Sequence, residues 1–558
     1  MNQKMIIYQV LPRLFGNDHT TNKKNGNIDE NGVGKFSAFD ERTLEEIRNM
    51  GFTHIWYTGV IEHATKTDYA KYGIRNSTPG VVKGNAGSPY AIRDYYDVSP
   101  DLADNVERRM EEFEALIRRT HAAGLKVIMD FVPNHVAREY FSDAKPEDEK
   151  DFGSGDDVNQ SFTPNNNFYY IPDQPLELSE EFGKVNYSEI PAKVSGNDCF
   201  TNRPTLNDWY ETVKLNYGVD YLNQQTPHFD PVPDTWLKMR DILIYWTGKG
   251  IDGFRCDMAE MVPVDFWSWV IPEVKGKNKS LIFIAEIYQP EKYHDYVDKG
   301  HFDYLYDKVG LYDTLRDVIT GQRPASDISG CWQSIDGLQK NMVNFLENHD
   351  EQRIASDFFA GDPFKAIPAM VVTATMNANP VMVYAGQELG ERGMDQEGFS
   401  GLDGRTSIFD YWSVATLRDW RNGGLYGGSK LSEEQVRLRT FYIRLLQLCN
   451  QEKAILEGGF YDLMYLNYQN PDFDPSRQYA FLRYTGKTFL LVVANFSEGT
   501  KIHVRIDPGV FSFMNIDLSQ IKQAKELLSS EKMTIKPGWE NTLMIEMKEN
   551  SGKIIRFS

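Results

Sequence analysis

Short apolar runs alternate along this chain with segments whose apolar residues recur at helical spacing. The apolar runs cover residues 5–10, 52–57, 125–132, 250–257, 282–285, 302–306, 343–346 and 381–384. Helical spacing is present at 41–50, 106–123, 234–248 and 433–450. Buried strands joined by helices in this way are typical of a (β/α)8 TIM barrel, an α/β fold. The pattern predicts that fold for most of the chain.

Two regions depart from this alternation. The long stretch after the third apolar run is rich in Asn, Asp, Pro and aromatic residues, and connections of that length usually carry a function or form a small domain. After the helix at 433–450, β-like runs follow at 479–484, 489–495, 501–506, 543–547 and 553–557. We predict a barrel at 1–137 and 225–452, an inserted domain at 138–224, and a C-terminal antiparallel β-sandwich at 453–558.

Composition narrows the possible partners. The 558-residue chain has a formal net charge of −20 and contains 32 Phe, 30 Tyr and 10 Trp. Nucleic acids and anionic membranes bind basic surfaces, so this charge argues against both, whereas aromatic faces suit neutral sugars. The first apolar run is too short for a signal peptide, and no run reaches the ~18 residues of a membrane helix. We expect a cytoplasmic protein, with export left open if a signal has been removed.

The run at 250–257 ends with Arg255 and Asp257. Residues i and i+2 of a strand face the same side, so these two side chains are expected to form an ion pair. A nearby cation favours an ionised carboxylate, and an ionised carboxylate can serve as a nucleophile. Taken alone, the pair is better explained as a structural salt bridge at the end of a strand.

Polar residues also follow three other apolar runs. His135 comes after the run at 125–132, Glu286 directly follows 282–285, and His349 and Asp350 follow 343–346. Active-site residues of TIM barrels lie at the C-terminal ends of the strands. Stability alone does not require carboxylates and histidines at several strand ends, so together these residues indicate an active site.

The segments 130–135, 253–257, 285–287 and 345–353 resemble, in order, the four short sequence regions of glycoside hydrolase family 13, the α-amylase family. The likeness extends from Tyr8 to Glu388. It implies that Asp257 is the nucleophile, that Glu286 is the general acid/base, and that Asp350 is a third carboxylate that binds sugar hydroxyls and favours ring distortion.

The same resemblance implies five substrate-binding residues. Arg255 would orient the nucleophile, and His135 and His349 would hydrogen-bond the sugar in the reactive subsite. Arg353 would lie on the substrate side. Tyr90 would form an aromatic platform beneath the reacting sugar, although a rim aromatic without that role stays open.

These roles agree with the chemistry of glycosidic bond cleavage. Two carboxyl groups about 5–5.5 Å apart can cleave the bond through a covalent glycosyl-enzyme, with retained configuration. Arg255 would keep Asp257 ionised, while Glu286, which follows an apolar strand, would be desolvated and protonated. Glu286 would then act as a base on water or on a second sugar. We favour hydrolysis, and transfer is the near alternative.

A metal site is a further possibility that the resemblance raises. Asn27, Asp29, Asn31 and Val33 align with a Ca²⁺ loop of some family members, and Asn134 matches a second Ca²⁺ position. Calcium needs several oxygen ligands and enough negative charge, and Lys35 stands where a carboxylate is usual. We therefore favour a polar turn over a Ca²⁺ site, and we predict that no cofactor is required.

The sequence defines the substrate and the linkage that is cleaved less well than it defines the catalytic residues. The residues after the nucleophile, 258–261, lack the Lys-His pair of many α-amylases, and 209–217 is an incomplete match to the motif of the inserted domain. We expect an α-glucan or malto-oligosaccharide hydrolase. A transglycosidase, or a relative directed to sucrose, trehalose or α-1,6 bonds, is the alternative. A non-catalytic carbohydrate-binding or transporter-accessory homologue is remote, because the carboxylates are present and a membrane helix is not. The sequence leaves oligomeric state open.

Overall fold

The computed structural model describes residues 3–179, 186–335, 337–486, 488–507, 509–510, 523–534 and 542–557. Eight parallel strands close into a barrel in chain order, and the last strand pairs with the first. They are β1 Ile6–Val10, β2 His54–Tyr57, β3 Lys126–Phe131, β4 Gly253–Cys256, β5 Ile282–Ala285, β6 Tyr304–Tyr306, β7 Met342–Phe345 and β8 Val381–Tyr384. The predicted (β/α)8 barrel is confirmed.

The barrel strands are apolar because both of their faces are covered. Every residue of β1, β2, β4, β7 and β8 is buried. Parallel strands with helices outside and side chains inside have no solvated face, so their sequences show continuous apolar runs instead of alternation. This burial explains why the strand positions were readable from the sequence.

The helices outside the barrel begin at recognisable signals. Asp40 accepts a hydrogen bond from the Thr43 backbone N–H at 2.8 Å and caps the first helix, and Ser432 and Gln435 form a capping box at the last. Among the described residues, no helix is both long and apolar enough to cross a bilayer. The main helices are α1 Glu41–Asn49, α2 Arg109–Ala122, α3 Asp234–Gly248, α4 Val264–Lys275, α5 Asp313–Ile319, α6 Ile328–Ser334, α7 Ile367–Thr375, α8 Ala415–Arg421 and α9 Glu433–Gln451.

Some predicted boundaries differ from the structure by a few residues. The helix predicted to begin at 106 begins at Arg109, because Val106–Arg108 forms a tighter 3-10 turn capped by the Asn105 side chain. The strand predicted at 302–306 is shorter, because β6 pairs with β5 only from Tyr304 onward. Neither difference moves the strand ends that carry polar residues.

The long connection after β3 forms short antiparallel strand pairs. In its described part, the strand His135–Ala137 pairs with Thr212–Lys214, Tyr170–Ile171 pairs with Ala192–Lys193, and Val219–Asp220 pairs with Thr226–Pro227. The first of these pairs continues directly from the end of β3. The connection is therefore attached to the barrel beside His135.

The C-terminal region contains antiparallel sheet, as predicted. Within the described residues, Gly459–Asp462, Gln478–Thr485, Thr488–Asn495, Ser551–Phe557, Gln523–Glu526 and Lys532–Thr534 form one sheet, and Thr500–Arg505 pairs with Thr542–Met547. Burial alternates strictly along Thr542–Met547, as expected when one face is solvated. The buried Arg483 donates hydrogen bonds to the carbonyls of Met376 and Gly458, each at 2.8 Å, and so links this sheet to the residue that ends α7.

Candidate active site

Three carboxylates reach the same mouth of the barrel because they follow β4, β5 and β7. The Asp257 backbone N–H donates to the Phe131 carbonyl at 2.8 Å, and the Glu286 N–H donates to the Cys256 carbonyl at 3.1 Å. These bonds extend the parallel ladder by one residue beyond each strand. Asp350 lies in the loop after β7. The fold thus brings together the three residues that the sequence indicated as catalytic.

Arg255 is the positive centre of this mouth, and its side chain is only 1% exposed. Its Nη1 lies 2.7 Å from Asp257 Oδ1 and 3.5 Å from Asp130 Oδ1, and its Nη2 lies 2.7 Å from Glu286 Oε1. The predicted ion pair with Asp257 is present. The sequence did not indicate that the same guanidinium also contacts Glu286.

Aromatic rings hold the Arg255 guanidinium in place. Its Cζ lies 5.2 Å from the ring centroid of Trp56, 5.4 Å from that of Tyr90 and 5.5 Å from that of Tyr306. Its Nε donates a hydrogen bond to the Tyr306 hydroxyl at 3.3 Å. Cation–π attraction and tight packing leave this arginine little freedom to move. Trp56, Tyr306 and Asp130 are site residues to which the sequence reasoning assigned no role.

The sequence predicted that Arg255 would hold the pKa of Asp257 low, but the structure shows the pKa of Asp257 shifted upward. Burial raises the pKa of Asp257 well above its usual range, and the Arg255 charge opposes that shift without cancelling it. Arg255 is shared with Glu286, so it does not serve Asp257 alone. The Asp350 side chain is 42% exposed, and its partial burial, followed by the negative charge of Glu286, raises the pKa of Asp350 above its usual value.

Glu286 is held by two neighbours that the sequence reasoning missed. Its Oε2 accepts a hydrogen bond from the Met258 backbone N–H at 2.8 Å, and its Oε1 accepts one from the Tyr288 hydroxyl at 2.7 Å. Met258 has φ 43° and ψ 44°, the left-handed conformation that residues other than glycine rarely adopt. A tyrosine two residues after the predicted acid was a readable signal, but the conformation of Met258 was not.

His349 lies beneath the third carboxylate and contacts Tyr90. Its Nε2 is 2.5 Å from the Tyr90 hydroxyl and 3.1 Å from Asp350 Oδ2, and its Nδ1 is 2.7 Å from the Gln9 amide nitrogen. Burial and the nearby Arg255 charge lower the pKa of His349 well below its usual value. The ring is therefore neutral and offers hydrogen bonds without adding charge.

His135 lies just after β3, at the start of the inserted connection. Its ring packs against Trp209 with a centroid separation of 5.1 Å. Burial, followed by the positive charges of Lys214 and Lys83, lowers the pKa of His135 to about 3. This histidine is neutral as well. Trp209 belongs to the segment that the sequence analysis identified as an incomplete motif of the inserted domain.

Arg353 has a side chain enclosed by protein, and its substrate-side role stays a prediction. Its side chain is 1% exposed, its Nη1 lies 2.8 Å from Glu347 Oε2, and its Nε donates to Thr406 Oγ1 at 2.9 Å. Its guanidinium also stacks 3.9 Å from the Tyr384 ring centroid. In this structure Arg353 supports the loop after β7 from behind.

The segment 27–33, which the family resemblance aligns with a Ca²⁺ loop, forms a capped turn. Asn27 Oδ1 accepts the Glu30 backbone N–H at 3.0 Å and caps the short helix Ile28–Asn31, while Asn31 Oδ1 accepts the Lys23 N–H at 2.8 Å. Lys35 points its ammonium at two backbone carbonyls. With the asparagine oxygens engaged by amides, Asp29 exposed and Val33 contributing only a carbonyl, the loop does not fit a Ca²⁺ ligand set.

Asn134 does not fit a divalent cation either, because an ammonium group already contacts it. Its Oδ1 accepts a hydrogen bond from Lys214 Nζ at 2.9 Å, and its Nδ2 donates to the Gly196 carbonyl at 2.7 Å. A divalent ion at this oxygen would meet the positive charge of the lysine.

Another acidic cluster lies outside the mouth. Glu62, Asp94 and Asp97 are buried, and carboxylate oxygens from all three lie within 4.8 Å of one another. Asp94 accepts four hydrogen bonds from three backbone amides and one hydroxyl, and Arg109 binds Asp97 through two nitrogens. The Asp94 oxygens are thus filled by protein donors, whereas Glu62 Oε2 has no hydrogen-bond partner among the described residues, so the cluster as a whole is not saturated.

Comparison with known proteins supports a family assignment. The family model described as "Alpha amylase, catalytic domain" matches residues 9–419. The chain is 24% identical over 399 residues to the protein named α-amylase MalA from Haloarcula japonica, which covers 70% of this chain and 44% of that protein. It is 25% identical over 304 residues to an α-1,4-glucan:maltose-1-phosphate maltosyltransferase of Cereibacter sphaeroides, which covers 51% of this chain and 40% of that protein. The chain thus spans less than half the length of both relatives.

A solved structure is similar over the full length of the chain. The maltogenic α-amylase AmyB from Thermotoga neapolitana superposes with a TM-score of 0.62 at 22% identity and covers 100% of this chain and 99% of its own. At that identity the likeness supports the fold alone.

Proposed function

The chain belongs to the α-amylase family, and from that premise we propose that it is a retaining α-glycoside hydrolase acting on α-glucans and malto-oligosaccharides. The observation that carries the proposal is the contact of one buried arginine, Arg255, with both Asp257 and Glu286 at neighbouring strand ends. This contact makes the two carboxylates neighbours at the barrel mouth. Two adjacent carboxyl groups are the arrangement that cleaves a glycosidic bond with retention.

In the first step, Asp257 is the nucleophile. Its carboxylate attacks the anomeric carbon while the bond to the leaving oxygen breaks, and a protonated Glu286 transfers its proton to that oxygen. The product is a glycosyl ester of Asp257 and a free sugar hydroxyl. Arg255 contacts both carboxylates, so it can stabilise the negative charge on whichever of them is ionised at each step.

In the second step, Glu286 acts as the base. It removes a proton from water, the hydroxide oxygen attacks the anomeric carbon, and the ester bond to Asp257 breaks. Glu286 regains its proton and Asp257 its charge, so the cycle closes with retained configuration. Met258 and Tyr288 keep the Glu286 carboxyl pointing in one direction through both steps.

The remaining groups of the mouth would hold the sugar. His135 and His349 are neutral and can exchange hydrogen bonds with hydroxyls on two sides of the ring. Asp350 can accept from two hydroxyls, and such bonds strengthen when the ring distorts. Tyr90 stacks against His349 with a centroid separation of 5.2 Å. This contact would fix the Tyr90 ring as an aromatic platform beneath the sugar.

The test is product analysis with maltoheptaose. NMR of the first product formed should show the α anomer, and chromatography should show only shorter sugars. Glu286→Gln should abolish turnover while maltoheptaose still binds, because the amide cannot transfer the proton. A β-anomeric first product, or undiminished turnover by Glu286→Gln, would refute the mechanism.

A transglycosidase is the second candidate. It is favoured by one observation, namely that a relative matching half of the chain is named a maltosyltransferase. Sugars longer than maltoheptaose would indicate transfer. A panel of starch, pullulan, isomaltose, cyclodextrin, sucrose and trehalose would identify a relative directed to α-1,6 bonds, sucrose or trehalose.

A cytoplasmic location stays a prediction from the sequence. It fits short malto-oligosaccharides better than starch granules as substrates. Cell fractionation with an antibody to the chain would test it, and activity in the culture medium would contradict it.

A further inference from the structure

Lys214 is a buried lysine in the part of the inserted connection that pairs with the barrel. It lies directly opposite His135 in the antiparallel pair of His135–Ala137 and Thr212–Lys214. Its side chain is 2% exposed. A buried ammonium is costly unless its charge and its N–H groups are satisfied, so the surroundings of this lysine are informative.

Three groups surround the ammonium of Lys214. Its Nζ lies 2.9 Å from Asn134 Oδ1, 2.5 Å from Asp198 Oδ1 and 5.2 Å from the centroid of the Tyr221 ring. A lysine ammonium has three N–H groups, and an amide oxygen, a carboxylate and an aromatic face suit them. Asn134 belongs to the barrel, whereas Asp198 and Tyr221 belong to the inserted connection.

Asn134 is the barrel residue to which the inserted connection is attached. Besides accepting from Lys214, it donates from Nδ2 to the Gly196 carbonyl at 2.7 Å and accepts the Leu215 backbone N–H at 2.9 Å. Its Nδ2 also lies 3.2 Å from His135 Nδ1. Any displacement of Asn134 would therefore move His135.

We propose that the Lys214 ammonium is a built-in cation that holds the inserted connection on the barrel and thereby positions His135. It occupies the place beside Asn134 where the family resemblance suggests a calcium ion. The proposal rests on the proposed function in one respect, because the value of positioning His135 depends on that residue binding the sugar. The attachment itself does not depend on the substrate.

The Lys214 charge has a second consequence for His135. Together with burial and Lys83, it holds the pKa of His135 at about 3 and keeps the ring neutral. Lys83 is itself held by Glu211 of the inserted connection at 3.0 Å. Lys214 thus attaches the inserted connection to the barrel, and its charge keeps the His135 ring neutral.

The first arm of the test uses the wild-type chain. After treatment with EDTA its melting temperature should not shift, the rate at which trypsin cuts within 138–224 and its kcat/KM should change by less than about twofold, and Ca²⁺ should restore nothing. A large loss of stability or activity in EDTA that is reversed by Ca²⁺ would overturn the proposal. The melting and proteolysis readouts remain valid even if α-glucans are not the substrate.

The second arm compares Lys214→Met with Lys145→Met. Lys145 also lies in the inserted connection, but its ammonium contacts Asp151 at 3.0 Å, the Ser142 carbonyl and the Phe141 ring, away from Asn134 and His135. Lys214→Met should raise proteolysis within 138–224 and lower kcat/KM at least ~10-fold, because misplaced substrate contacts are costly. Lys214→Arg, which keeps the charge, should recover part of the resistance to proteolysis and part of kcat/KM. If Lys214→Met behaves like Lys145→Met, the proposal is wrong.

Discussion

Glu62, Asp94 and Asp97 form one cluster of carboxylates in this protein, and Asp257, Glu286 and Asp350 form another. Both clusters contain carboxyl groups whose pKa is raised by burial, and both have arginine close by. Of the six side chains, Asp350 alone is substantially exposed, at 42%. Only the cluster of Asp257, Glu286 and Asp350 opens on the barrel mouth.

Hydrogen-bond saturation separates Asp94 from Asp257. The oxygens of Asp94 accept four hydrogen bonds from protein donors, so no lone pair is left for a ligand. Asp257 has a hydrogen bond from Arg255 alone among the described contacts of its side chain. Burial and a raised pKa therefore do not by themselves identify a catalytic carboxylate, and the unused acceptor positions of Asp257 are a further difference from Asp94.

The largest effect that would test this contrast is expected at Asp257. Asp257→Asn should lower kcat by at least about 10⁴-fold, because the nucleophile is lost. The melting temperature should stay the same or rise, because burial disfavours the charge that is removed. The measurements are steady-state kinetics and calorimetry, with the exposed Glu45→Gln as control. A large drop in melting temperature would place Asp257 with the structural carboxylates.

Arg353 lies close to the mouth but should behave as a structural residue. Arg353→Met should cost about 3–5 kcal/mol of unfolding free energy, because Glu347 is left buried without its partner. Urea denaturation measures this cost, and kcat/KM of the folded protein should change less than about threefold. The double variant with Glu347→Gln should recover part of the stability. A raised KM with normal stability would support the substrate-side role.

Asp94 should show the reverse of Asp257. Asp94→Asn should cost about 1–3 kcal/mol, because the new amide group faces backbone N–H donors, while kcat stays near the wild-type value. Asp68→Asn is the matched control, since Asp68 accepts similar bonds but is exposed. Loss of activity without loss of stability in Asp94→Asn would contradict the assignment.

Glu62 should give the smallest effect and the one that depends on pH. Burial, followed by the charges of Asp94 and Asp97, raises the pKa of Glu62 well above its usual value. Such a group loses stability as pH rises, because the unfolded chain ionises near pH 4.5 and the folded one does not. Glu62→Gln should therefore match wild type near pH 4 and melt a few degrees higher near pH 8. A difference that is constant or shrinks with pH would contradict this.

Much of the catalytic mouth was predictable because it depends on local rules. The i, i+2 relation of Arg255 and Asp257 follows from strand geometry, and a parallel barrel must bring the residues after its strands to one end. Glu286 and Asp350 were found in this way. Family resemblance then suggested their roles, which the spacing alone did not.

The omissions concern contacts between distant segments. Arg353 shares its segment with His349 and Asp350, yet its side chain turns to Glu347 and Tyr384, and no spacing rule predicted that direction. The link from Lys214 to Asn134 joins residues separated by 80 positions. Such contacts depend on how loops pack, which a one-dimensional pattern does not record.

By itself, the sequence determined the barrel, the order of its strands and the identity of the carboxylates at their ends. These features follow from apolar periodicity and from the chain direction, which are properties of neighbouring residues. Only the tertiary structure decided that Arg255 is shared by two carboxylates, that Met258 adopts a left-handed conformation to bind Glu286, and that a lysine stands beside Asn134. Each of these depends on which atoms remain unsatisfied once distant segments have packed, and that becomes known only when the chain is folded.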